Sequence, residues 1–134
     1  MTLPFTPHTI VILDRRPEYA RLLAALAATD QPALTIEKFD DLDAAEQWLA
    51  TAPSPVAVFA DVTAADGATI RRALAWRAER LDLAVVAMFD ANNEVQALDA
   101  HSIGADGVLA KPCCRSDWRQ SVGALLGERE LARA

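Results

Sequence analysis

Three short apolar runs constrain this chain more than anything else in it: Thr9–Leu13, Val56–Ala60 and Leu83–Phe89. Each is too short for a buried helix, rich in β-branched residues, and bounded by charged or turn-forming residues. Runs of that kind read as strands covered on both faces. Such strands belong to parallel sheets flanked by helices. The first run ends in Asp14 and the second in Asp61, a lone carboxylate followed by small residues and then Asp66-Gly67. In parallel sheets the binding or reaction site lies outside the carboxyl ends of the strands. The sequence therefore delivers two carboxylates to the place where chemistry is expected.

The segments between the runs read as helices and two further strands. Pro17 suits a first helical position, and Tyr19, Leu22, Leu23 and Leu26 follow at the spacing of one helix face. Thr29–Pro32 ends that helix. Leu34–Phe39 reads as a strand nearer the sheet edge. Asp40 or Asp41 caps the next helix, whose apolar face is Leu42, Ala45 and Leu49 with Trp48 beside it. The helix after Gly67 turns Ile70, Ala73, Leu74 and Leu81 to one side, and Arg71, Arg72, Arg77 and Arg80 form its solvated side. Asn93, with Gln96 three residues on, opens a helix with Val95, Leu98, Ser102 and Ile103 inward. Gly104 closes it in the left-handed conformation. Gly107–Ala110 is a short strand leading into Lys111-Pro112. Ser116 caps a last helix that carries Trp118, Val122, Leu125 and Leu126 inward.

Five strands alternating with five helices imply right-handed crossovers and a three-layer α/β sandwich. The expected fold class is flavodoxin-like, a (βα)5 unit with a parallel five-stranded sheet in the order 2-1-3-4-5. In that order strands one and three are neighbours, so Asp14 and Asp61 meet at the switch point. Strand five aims Lys111 at the same crevice. The 134 residues form one domain, with 1–8 as an N-terminal extension and 127–134 as a helical tail.

Composition excludes some classes of function. The net charge is −6, and no basic stripe is present, so nucleic acid is not an expected partner. No stretch reaches membrane-spanning length, and MTLPFTPH lacks the features of a signal peptide, so a cytoplasmic location is expected. Cys113 and Cys114 are adjacent and build no disulfide framework; they read as reduced thiols. His101, a lone histidine on a helix, receives no role.

Two carboxylates and a lysine at three strand ends suit phosphoryl chemistry. Carboxylate oxygens hold a hard cation such as Mg²⁺, which bridges to phosphate. An ammonium offsets phosphoryl charge, and an aspartate can itself form an aspartyl-phosphate.

On these residues the chain resembles the receiver domains of two-component response regulators over nearly its whole length. The most similar segment is Gly104–Pro112, GADGVLAKP. The resemblance implies that Asp61 is the phosphoacceptor, that Asp14 is the first acid of the metal-binding pair, and that Lys111-Pro112 carries the conserved lysine before a cis bond. It also implies Mg²⁺ on Asp14 and Asp61, a histidine kinase or other signalling protein as partner, and a homodimer through the last two helices and strand five. The departures are specific. Arg15 stands where the pair's second acid belongs, which invites the expectation that its guanidinium swings toward Asp14 or Asp61. Phe89 or Asp90 replaces a Ser or Thr, Val108 replaces an aromatic switch residue, and the loop after Asp61 is two residues short. These features are similar to those of atypical receivers that work through protein contacts. VVAMFD also resembles the receivers of antitermination regulators. The alternative is a small flavodoxin-like enzyme, a hydrolase or flavin protein. Against it stands the lack of a Gly-rich phosphate loop, a Gly-x-Ser-x-Gly elbow or a His/Cys cluster.

Overall fold

A computed structural model of the chain describes residues 9–14, 16–30, 34–52, 56–62, 67–80, 83–93, 95, 98 and 102–126. The order is β1 (Thr9–Leu13), α1 (Pro17–Asp30), β2 (Thr35–Phe39), α2 (Leu42–Thr51), β3 (Val56–Asp61), α3 (Ala68–Glu79), β4 (Leu83–Asp90), β5 (Gly107–Lys111) and α4 (Arg115–Leu126). The extension over 1–8, the tail over 127–134 and most of the helix expected from Asn93 lie outside the described residues. Within that helix Val95, Leu98 and Ser102 are described, and all three are helical.

The five strands form one parallel sheet in the order β2-β1-β3-β4-β5, as expected. Period-two alternation divides their side chains between two cores. Ile10 and Ile12, Ala57 and Phe59, Val86 and Met88, and Leu109 face α1 and α4. Val11 and Leu13, Val56, Val58 and Ala60, and Val85 and Ala87 face α2 and α3. Trp118 of α4 is fully buried, with its ring 5.4 Å from that of Phe59. Arg115, at the start of α4, places its Nε 3.0 Å from both carboxylate oxygens of Asp30 at the end of α1, so the two helices on this face are tied together.

Local chemistry sets the element ends. The side chain of Asp41 accepts from the Asp43 N–H at 3.0 Å and caps α2. Gly67 precedes α3 at φ +64° and Gly104 lies at φ +85°, a region that a side chain strains. Ser116 does not cap α4. It lies inside the helix, which begins at Arg115, and its hydroxyl pairs with the Cys114 thiol at 3.1 Å.

Several helix faces differ from the sequence expectation. In α1 the buried stripe is Ala20, Leu23 and Ala27, while Leu22 is exposed and Tyr19 and Leu26 are half-buried. The small alanines bring the helix close to the sheet and push the longer residues to its flanks. In α3 the buried face includes Trp76, whose indole N–H donates to Glu46 at 2.9 Å. The arginines of that region are not simply solvated. Arg72 meets Glu46, Arg77 meets Asp106 and the Gly104 carbonyl, and Arg80 donates to the Leu49 carbonyl. Val95 and Leu98 were expected to face inward, but they are 67% and 71% exposed. Ile103, expected inward with them, does pack against the core, as do Ala105 and Val108 after it.

Candidate functional site

The strand register brings the expected residues together. Leu13 pairs with Ala60 and Asp90 with Lys111, so Asp14, Asp61, Asp90 and Lys111 lie along one edge of the sheet. The ladder extends a step further where the Asp14 N–H donates to the Phe39 carbonyl, Val62 to Met88 and Ala91 to Lys111. These charged residues also share one face. Each continues the alternating series that packs against α1 and α4: Ile10, Ile12, Asp14; Ala57, Phe59, Asp61; Val86, Met88, Asp90; and Leu109, Lys111. The first turn of α1 is therefore the element that covers them.

At the centre lies the Lys111 ammonium. Its Nζ is 2.8 Å from Asp14 Oδ2 and 2.8 Å from Asp61 Oδ1, and all three residues are buried. Asp14 Oδ1 accepts the backbone N–H of Arg16 at 2.9 Å. The Arg16 guanidinium reaches over the cluster to Asp90 Oδ1 at 3.2 Å, with its Nε 3.9 Å from Asp14. The cations of Arg16 and Lys111 both lie over the ring of Tyr19, 4.6 and 4.9 Å from its centroid. Lys111-Pro112 is cis, as the resemblance implied.

Arg15 lies outside the described residues, and the arginine that the structure places over the carboxylates is Arg16. Sequence reasoning missed three members of this site: Arg16, Tyr19 and the role of Asp90. The signal was present in strand parity, since Asp90 stands in the same series as Met88 and Val86. The position of Tyr19 one helical turn after Arg16 was a second sign.

Mg²⁺ demands near-ideal octahedral geometry at about 2.0–2.1 Å and is commonly held by one or two carboxylates with several waters. Here the space between the two carboxylates is spanned by an ammonium within hydrogen-bond distance of both. The second oxygen of Asp14 is bound to a backbone N–H. Among the described residues no group of three or more His, Cys, Asp or Glu is placed to hold a metal ion. In this arrangement the residues do not fit the cation that the resemblance implied.

No protein-family model matches the chain, and no curated protein does. Solved structures do. A response regulator receiver protein from Burkholderia phymatum aligns with a TM-score of 0.75 at 19% identity, over 89% of this chain and 94% of that one. A putative response regulator from Chloroflexus aurantiacus aligns with a TM-score of 0.73 at 19% identity, over 90% and 98%. The beryllofluoride-activated NtrC4 receiver domain dimer aligns with a TM-score of 0.73 at 17% identity, over 90% and 98%. The fold is that of response-regulator receiver domains.

Proposed function

We propose that this chain is an atypical receiver domain of two-component signalling, which works through protein contacts and has Asp61 as its phosphoacceptor position. The observation that carries this reading is the Asp14–Lys111–Asp61 cluster at the carboxyl edge of a receiver-type sheet. In a transfer, an Asp61 oxygen would attack phosphorus, the bond to the leaving group would break, and Lys111 would offset the phosphoryl charge. Among the described residues the site shows no nucleophile–base pair of the hydrolase kind, which favours a signalling module over an enzyme.

Mass spectrometry after incubation with acetyl phosphate, with and without Mg²⁺, tests the assignment. One phosphoryl group, absent in Asp61→Asn, is the expected product, formed slowly. Phosphate on another side chain, or none after long incubation, removes the phosphoacceptor role.

The partner is a histidine kinase, another signalling protein or a second copy of the chain. The face for it is β5 with α4, where an open cleft of about 680 Å³ lies between Phe89, Val108 and Ala110 on one side and Asp117, Gln120 and Ala124 on the other. The exposed Val95 and Leu98 belong to the segment before β5 and add apolar surface. The NtrC4 dimer is a precedent for self-association in this fold. Light scattering of Asp117 and Arg119 charge reversals tests this face. Association that responds only to changes in α1 would refute it.

A further inference from the structure

We propose that the acidic pocket carries its own cation and its own roof. Lys111 spans Asp14 and Asp61, Tyr19 and Arg16 close over it, Arg16 latches to Asp90, and this closed state excludes a divalent cation. The inference concerns the same pocket as the receiver reading but does not depend on phosphorylation of Asp61.

Charge comes first. Among the described residues the pocket joins three carboxylates, Asp14, Asp61 and Asp90, to two cations, Lys111 and Arg16. Three negative and two positive charges leave a formal −1. A divalent ion entering beside the bound ammonium would meet a site already mostly neutralised. To reach both carboxylates it would have to displace Lys111, whose side chain is only 2% exposed.

The roof is anchored rather than draped. The backbone N–H of Arg16 is bound to Asp14, and its carbonyl accepts the Tyr19 N–H at 3.3 Å. Helix α1 starts at Pro17, between the two roof residues, and proline arrives with its φ already near the helical value. Arg16 and Tyr19 are three residues apart and so lie side by side over the pocket. The negative face of the tyrosine ring attracts both cations. The 3.2 Å contact of Arg16 with Asp90 then ties the start of α1 to the end of β4, across the mouth of the site. Lys111 can leave the carboxylates only if this cover opens.

Metal titration of the purified chain, without any phosphodonor, tests the proposal. Calorimetry with Mg²⁺ and spin-resonance detection of free Mn²⁺ should show no saturable binding by the native protein up to about 10 mM, weaker than the roughly 4 kcal/mol of a millimolar complex. Arg16→Gln and Tyr19→Ala, singly and together, should tighten binding at least about tenfold. Lys111→Gln should bind Mg²⁺ and be stabilised by it against heat, as a ligand of the folded state requires. Saturable native binding at about 10 mM or tighter would overturn the proposal. So would roof variants that bind no better than the native chain. If Lys111→Gln does not fold, Arg16→Gln decides alone, because that side chain is 39% exposed and its loss leaves the core intact. Phosphorylation of Asp61 is not read in this experiment, so the two proposals fail separately.

Discussion

Replacing Lys111 by Met removes a cation that lies 2.8 Å from both Asp14 and Asp61. The methionine retains much of the apolar stem, so the perturbation is mainly electrostatic. Breaking a buried ion pair by deleting one partner costs about 3–5 kcal/mol, because the remaining charge stays desolvated. Here one ammonium serves two buried carboxylates, which places the expected loss in the middle or upper part of that range, about 4 kcal/mol. For 134 residues the unfolding entropy near the midpoint is roughly 0.28 kcal/mol/K, so the melting temperature should fall by about 14 °C. Circular dichroism melts at neutral pH measure this directly. A second variant separates charge from packing. Asp61→Asn/Lys111→Met carries one fewer stranded carboxylate and should melt higher than Lys111→Met alone. A drop of less than about 3 °C for Lys111→Met, equivalent to roughly 1 kcal/mol, would refute the argument. A double variant less stable than the single one would do the same.

Two further outcomes concern other parts of the molecule. The indole N–H of Trp76 holds the Glu46 carboxyl below its ordinary range; burial opposes it, and the charge of Arg72 adds a smaller lowering. A lowered carboxylate pKa stabilises above the unfolded value and loses that contribution as pH falls through the folded one; the difference in melting temperature between native protein and Trp76→Phe should therefore shrink as pH falls through and below the ordinary carboxylate range. Burial pushes the Cys113 thiol up to about 11, with the charge of Asp117 adding to the effect, whereas Cys114 is exposed. At pH 8 only about one part in a thousand of Cys113 is thiolate, so iodoacetamide should label Cys114 rapidly and Cys113 only after denaturation, as peptide mapping would show.

Strand identity, strand order and the meeting of Asp14, Asp61 and Lys111 were legible in the sequence. The reason is physical: apolar runs of five to eight residues ending in charge have few ways to be buried, and right-handed parallel crossovers leave few topologies. Glycine at position 104 was legible too, because its φ of +85° is a local demand. What the sequence did not disclose depended on which side chains a third element would supply. The stripe of α1 that turned inward was Ala20, Leu23 and Ala27, since close packing on the sheet favoured small residues over the larger Leu22. The arginines around α3 found partners on α2 and before β5, contacts that no local pattern encodes. The neighbouring Arg15 and Arg16 could not be told apart by charge. Only the tertiary structure placed Arg16 over Tyr19 and against Asp90, because the turn from β1 into α1 fixes the direction in which the Arg16 side chain leaves the backbone. The sequence by itself determined that a lysine and two aspartates would converge. The packed fold decided that the lysine would lie between them, under a cover built from the first turn of the first helix.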